Sequence, residues 1–313
     1  MTDQRVSVHG MWSSRTVFIL ATIGSAVGLG NVWKFPYITG EYGGGAFVVV
    51  YLLCIALIGV PIMMAEILLG RRGRASPIVT MKRLAREQGS SPAWSLVGYS
   101  GVIAGFLILS FYSVVAGWAI AYVFQAGSGG FNGLDAGAAE SLFGALIGSP
   151  SQLLVWHSVF MVMTVFVVAR GVRRGLERAV TLLMPALFVM LLIMVAYAWV
   201  EGDFARAGAF LFNTDFAKVF QLCTGSAEDL KCAFTGEPLL VAMGHAFFTL
   251  SLGMGAIMAY GAYVPDRASI TGATITIALA DTVVALLAGL AIFPIVFASG
   301  LEPGAGPGLI FQT

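Results

Sequence analysis

Asp281 stands in the middle of an apolar stretch, Ala268 to Ala298, that contains no basic residue. A carboxylate placed there costs several kcal/mol unless a cation, a proton or a backbone donor compensates it, so it is a functional candidate by default. Four more polar groups sit in or beside similar stretches: Lys34 near an outer end, Glu66 beyond Pro61, His157 and His245. Glu66 reads either as an acid near the inner end of its helix, partly reached by water, or as a working group. His157 reads as an interfacial or packing histidine, and His245 is undecided on its own. Paired with Glu66, Asp281 could serve an intramembrane enzyme, but no HExxH, GxSxG or second aspartate motif supports that chemistry.

Glycines supply the second clue. The run Ile23-Gly24-Ser25-Ala26-Val27-Gly28-Leu29-Gly30-Asn31 holds a GxxxG pair that suits close helix packing. Gly28, Gly30 and Asn31 are three poor helix formers in four positions, which invites the backbone to unwind. The run Thr249-Leu250-Ser251-Leu252-Gly253-Met254-Gly255 repeats the theme. Unwound backbone is tolerated in lipid only where it lines a cavity or binds something. A break frees carbonyls at the negative end of one half-helix, suited to Na⁺, and amides at the positive end of the next, suited to a carboxylate. Asn31, Thr249, Ser251 and Asp281 add oxygen ligands for a hard cation. The constellation predicts a midplane site shared by a small zwitterion and a cation, as paired broken helices do in secondary transporters.

These residues must be positioned by membrane helices. Of 313 residues, 58% are hydrophobic and 11% charged, far from the roughly one quarter charged of a soluble fold. Seven stretches meet or approach the ~20 apolar residues a bilayer requires: Thr16 to Tyr37, Ala46 to Leu69, Trp94 to Phe124, Leu153 to Ala169, Ala179 to Val200, Leu239 to Val264, and Ala268 to Ala298. The fourth is short and can borrow Gly148 to Gln152. All 17 basic residues except Lys34, Arg206, Lys218 and Lys231 fall on one side. The positive-inside rule then predicts a multi-pass protein of the inner (plasma) membrane, N-terminus cytoplasmic and C-terminus outside.

The loops carry less. Arg71 to Glu87 suits a short amphipathic segment at the inner interface. Glu201 to Glu237 faces outside and holds Cys223 and Cys232, bridged or free; Cys54 is packing material mid-helix. Ser299 to Thr313 is Pro/Gly-rich and looks like an interrupted loop. Three cysteines without CxxC spacing exclude a thiolate zinc site and a disulfide framework. A net charge of +1 gives no reason to expect nucleic acid.

Several motifs together resemble one family. Trp12-Ser-Ser-Arg15, Gly24-Ser-Ala-Val-Gly-Leu-Gly-Asn-Val-Trp-Lys-Phe-Pro-Tyr37 and Gly43-Gly-Gly-Ala-Phe47 resemble the start of the neurotransmitter:sodium symporters. Pro61 to Gly70 and Phe247-Phe-Thr-Leu-Ser-Leu-Gly-Met-Gly255 resemble the bacterial amino-acid members. The resemblance runs over nearly all of the chain except the loop 201–237. It implies an all-α membrane protein with the inverted-repeat sodium symporter fold, discontinuous helices 1 and 6, and about seven transmembrane helices present. Residues 1–313 would form a single membrane domain. Its parts would be a first five-helix repeat (12–200), an outer loop (201–237), the start of a second repeat with helices 6 and 7 (238–298), and an interrupted outer loop (299–313). Later helices of the family, which complete a second sodium site and the outer gate, lie beyond the seventh.

The resemblance also implies roles. Gly28, Leu29 and Gly30 would present amides to a substrate carboxylate, assisted by the Tyr112 hydroxyl. Ala26, Asn31, Thr249 and Asp281 would ligate a first sodium, and the Gly24 and Val27 carbonyls half of a second. Phe248 would be the lid over the substrate, and Ser25, Ile108, Ser251 and Met254 would shape the pocket. Glu66 would bond the unwound backbone, protonated or fully paired. Lys34 stands where a gate arginine is usual and loses its bidentate pairing; His245 stands where a gate glutamine is common. His9 replaces an inner-gate arginine, with Arg5 as substitute.

Monoamine carriers of the family place Asp where this chain has Gly28, so an amino acid with its own carboxylate is favoured. Mostly apolar pocket residues suggest a neutral side chain. Asp281 lies near Ala285, where chloride-dependent members use serine, so chloride is not expected to be required, and no other cofactor is. The expected function is a sodium-coupled symporter of small neutral amino acids working by alternating access, not an enzyme, in contact with lipid and open to homodimer assembly. The alternative is a truncated, transport-incompetent membrane fragment or an assembly partner of such a symporter.

Overall fold

The structure, a computed structural model, describes residues 15–134, 136–171, 175–224, 231–265 and 268–312. The inner-gate expectations for His9 and Arg5 fall outside them.

Each expected apolar stretch is helical. The first span is α1 (Arg15–Ala26), a π-type turn Gly30–Lys34, and α2 (Phe35–Glu41). Its two halves bend by 43°. The second span is α3 (Gly45–Cys54), a π-type turn Ile55–Gly59 and α4 (Val60–Gly73), which reads as one long apolar helix. After the inner helix α5 (Pro77–Glu87) come α6 (Ser95–Gly127), α7 (Ala136–Ile147), α8 (Pro150–Ala169) and α9 (Glu177–Glu201). Pro150 opens α8, where a missing N–H costs nothing, so the fourth span does extend toward residue 148.

The outer loop 201–237 contains α10 (Phe204–Phe212), α11 (Phe216–Phe220) and an antiparallel hairpin of β1 (Gln221–Thr224) and β2 (Lys231–Phe234). The hairpin register sets residue 223 opposite residue 232. The sixth span is split into α12 (Glu237–Thr249) and α13 (Ala256–Gly261), and the seventh is α14 (Ile270–Ala298). Apart from the hairpin the described chain is helical, as expected.

Two loops are more ordered than their composition suggests. The segment 125–149, between the third and fourth apolar stretches, contains α7. Residues 299–312 fold back over the outer end of the first span and finish in α15 (Leu309–Gln312). Trp33 Nε1 donates to the Pro307 carbonyl at 2.7 Å, and Phe311 stacks on Phe143 with ring centroids 5.2 Å apart. Gly40 permits this approach, because a Cβ there would lie 1.8 Å from the Pro303 carbonyl oxygen. Pro and Gly thus shape a docked segment rather than a loose one.

Burial follows position in the bundle. The core is built from one face each of α1, α3, α4, α12, α13 and α14, with Phe18, Phe35, Phe47, Tyr51, Met63, Ile67, Ile257 and Phe293 essentially inaccessible. By contrast α8 and α9 turn most of their Leu, Val, Ile and Met side chains outward. Exposed apolar faces of this length suit a hydrocarbon surround, where they cost nothing. Cys54 is buried at the end of α3, as expected of packing material. His157, half-buried on α8, has its backbone N 2.9 Å from where a Cβ on Gly117 of α6 would sit, so it too marks a packing contact.

Candidate functional site

The break in the first span begins after Ala26. Val27 N–H still donates to Ile23 O at 2.6 Å, the last α-helical bond. Gly28 N–H turns away from its helical acceptor, the Gly24 carbonyl, and donates to Asn31 Oδ1 at 3.0 Å. Asn31 and Val32 both donate to the Gly28 carbonyl. A side chain therefore satisfies the amide that the break leaves without its helical acceptor. Gly30 N–H donates to Tyr112 Oη at 2.9 Å, so α6 reaches the break through one hydroxyl.

The break in the sixth span is longer. Residues 250–255 leave helical geometry, with positive φ at Ser251 (55°), Gly253 (78°) and Gly255 (75°). The two glycines adopt it without a Cβ penalty; Ser251 is held there by donating its hydroxyl to the Ser25 carbonyl at 2.7 Å. Gly253 N–H donates to Glu66 Oε1 at 2.7 Å. Glu66 is therefore no water-exposed acid: it is buried and bonds the unwound backbone.

Between the breaks lies Asp281, wholly inaccessible on α14. Its carboxylate receives Asn31 Nδ2 at 2.8 Å and the Thr249 hydroxyl at 2.9 and 3.1 Å. Asn31 Nδ2 also bonds the Asp281 backbone carbonyl at 3.0 Å. Among the described residues no basic side chain forms an ion pair with Asp281. A buried carboxylate ringed only by neutral oxygen-bearing groups is a donor set for a hard cation. The hydroxyl of Tyr51, fully buried on α3, faces the same carboxylate.

Aromatic rings close the outer side. Phe248 meets Tyr112 edge-on at 5.6 Å and lies parallel to Phe111 at 6.3 Å. Lys34 Nζ sits 4.4 Å above the Phe248 ring, a cation–π contact rather than an ion pair. His245 lies behind this lid, fully buried against Phe35 and Tyr51 at 6.0 and 5.1 Å between rings. Gly30 allows the lid to close, since a Cβ there would come within 3.3 Å of the Phe248 ring.

The profile of the family described as "Sodium:neurotransmitter symporter family" matches residues 9–130. The sodium-dependent transporter YhdH of Bacillus subtilis is 39% identical over 302 residues, covering 96% of this chain and 63% of the relative. A sodium-dependent transporter of Haemophilus influenzae is 32% identical over 308 residues, 96% of this chain and 64% of the relative. The crystal structure of MhsT in complex with L-phenylalanine superposes with a TM-score of 0.86 at 44% identity, over 97% of this chain and 65% of that one. The chain is similar to the sodium:neurotransmitter symporter family by this profile and these relatives. It has that family's fold, with discontinuous first and sixth helices, and it spans a little under two thirds of the length of these relatives.

That similarity puts the expected residues in context. Asn31, Thr249 and Asp281 converge directly, and Ala26 is buried at the end of α1 beside them in sequence with Val27. Gly28, Leu29 and Gly30 line the first break, and Ser25, Ser251 and Met254 the second, with half-buried Ile108 and Tyr112 on α6. Gly101 brings α6 against the second break, its Cβ position 3.1 Å from the Met254 carbonyl carbon. Gly24 also packs, because a Cβ there would lie 3.1 Å from Val180 of α9. Sequence reasoning passed over Tyr51. Its signal was available: one hydroxyl in the aliphatic run Phe47 to Ile58. It also passed over Arg74, buried at the inner end of α4, because a basic loop residue looks like a surface one.

Proposed function

We propose that this chain forms the sodium- and substrate-binding core of a sodium-coupled symporter for neutral α-amino acids, working by alternating access. The observation that carries the reading is Asp281, a buried carboxylate held by Asn31 and Thr249 with no cationic side chain paired to it among the described residues. Na⁺ supplies the missing charge. It would be ligated by the Asp281 carboxylate, the Thr249 hydroxyl and the Ala26 carbonyl, and by Asn31 once its amide turns to present Oδ1, here engaged by Gly28 N–H, in place of Nδ2. Gly24 and Val27 carbonyls, freed where the helix ends, would contribute to a second ion.

The substrate carboxylate takes the position now bridged by Tyr112 and the Gly30 amide, with the Gly28 and Leu29 amides beside it. Binding requires little new order, because both breaks are already held open by side-chain bonds. Sodium and amino acid share the first break, so each improves the site for the other. MhsT was crystallised with L-phenylalanine, which supports an apolar amino acid in a pocket lined by Ile108, Phe248 and Met254. Lys34 and Phe248 form the outer cover, and chloride is not needed. The basic inner loops place the N-terminus in the cytoplasm and the C-terminus outside the plasma membrane.

A panel of radiolabelled amino acids, with Na⁺ or with choline, on the membrane-reconstituted chain tests this. Sodium-dependent binding of neutral amino acids is the expected result; sodium-independent binding, or none in the chain and in a full-length relative alike, refutes it. A second reading rests on the length relation. Spanning under two thirds of its relatives, the chain would bind but not translocate alone, serving as a membrane fragment or assembly partner. Binding without uptake in sealed vesicles distinguishes the two.

A further inference from the structure

The inner half of the sixth span is gripped at both ends by one helix. Glu66, Ile67, Gly70 and Arg74 lie along a single face of α4 at helical spacing. At the break, Glu66 accepts from Gly253 N–H at 2.7 Å. Midway the two backbones touch: a Cβ on Gly70 would lie 2.0 Å from the Met258 carbonyl oxygen, and one on Gly261 would lie 2.8 Å from that of Ile67. At the inner end Arg74 leaves α4 in the left-handed conformation (φ 50°) with only 8% of its surface exposed. Its guanidinium donates to the carbonyl of Ala262 at 3.1 Å and to that of Val264. Both carbonyls lie just past the end of α13, Ala262 at its C-cap and Val264 two residues on, beside the negative end of the helix dipole. Arg71 extends the same grip by donating to Ala268 O at 2.9 Å, and Arg83 of α5 donates to Gly73 O at 3.0 Å.

We propose that Arg74 is a positioning residue that latches α13 to α4, so that the inner half of the broken span moves with α4 as one body and the cytoplasmic path opens only when that latch shifts. A strained backbone and a buried charge persist only where the surroundings over-determine them. A six-residue helix has no such rigidity of its own. The latch deepens the symporter reading, since it controls the inner side of the same site.

Hydrogen exchange of the reconstituted chain tests it without any ligand. Arg74→Gln is expected to lower protection of residues 256–264 about tenfold while α12 keeps its protection. Both Arg74 bonds leave from Nη1, so Arg74→Lys keeps a donor for the carbonyls but on a shorter stem without the rigid planar head, and should fall between. Unchanged protection of 256–264, or a loss spread equally over α12 and α14 in both variants, overturns the latch. A linked measurement uses sodium-dependent L-phenylalanine binding: Arg74→Gln should raise the sodium midpoint several-fold at an unchanged number of sites. A fall in sites at constant midpoint marks a merely structural role and also overturns it. Failure of the unsubstituted chain to bind would refute the symporter reading alone, leaving the exchange result to decide the latch.

Discussion

Ser251 gives its hydroxyl to the carbonyl of Ser25 across 2.7 Å, tying the break in the sixth span to the last turn before the break in the first. The bond spans 226 residues of sequence and joins two segments whose own helices have both failed. Ser251 adopts φ 55° to make it, a conformation that costs an L-residue about 1–2 kcal/mol. The two breaks are thus one structural unit.

Ser251→Ala removes the bond and keeps the strain, so it should lower stability by about 1 kcal/mol. Ser251→Gly loses the same bond but relieves the backbone, and should cost less. Thermal unfolding in detergent compares them; equal losses would show that backbone strain plays no part.

Asp281→Asn keeps an oxygen facing Thr249, whereas Asp281→Ala leaves Thr249 without its acceptor and Asn31 with only the backbone carbonyl of residue 281. Sodium titration of amino-acid binding should weaken for both, roughly tenfold more for Ala, by the about 1–3 kcal/mol of an unmet buried donor. Asn31→Ala and Thr249→Ala should also weaken sodium dependence. Identical behaviour of the Asn and Ala variants would favour a charge or proton role over ligation.

Gly28→Asp tests where the substrate carboxylate sits. A Cβ at Gly28 meets only Tyr112 Oη, at 3.7 Å, so there is room for the new side chain. Its effect should be electrostatic: loss of amino-acid binding in a protein that still folds. Retained affinity would remove the carboxylate from this place.

Glu66→Gln keeps an acceptor for Gly253 N–H and should be mild. Glu66→Ala strands that amide in a buried break and should cost about 1–3 kcal/mol. Calorimetry or thermal unfolding separates them. A Gln variant as damaged as the Ala one would mean that the negative charge itself is required.

Gly70→Ala probes the contact between α4 and α13. The added Cβ would fall 2.0 Å from the Met258 carbonyl oxygen, backbone that cannot simply rotate away. Overpacking of this kind costs about 1–3 kcal/mol. Gly144→Ala, with nothing within 4 Å, is the neutral control. Similar stability of the two variants would refute the close packing.

Sequence alone determined the features that are local or obligatory. Clustered glycines weaken a helix wherever it lies, so both breaks were legible at Gly28 to Asn31 and Leu250 to Gly255. A carboxylate without a neighbouring base stands out in any apolar run, so Asp281 was legible too, and the basic loops gave a predicted orientation. Only the tertiary structure decided what meets what. Asn31 and Asp281 are 250 residues apart, and no local preference encodes their bond. The folded segment 299–312 and buried Arg74 escaped notice for the same reason: their partners are backbone groups or faces of other helices. A residue's propensity is set by its near neighbours along the chain, whereas its partner is set by how whole helices pack, which in lipid depends on small residues and shape rather than on a hydrophobic pattern.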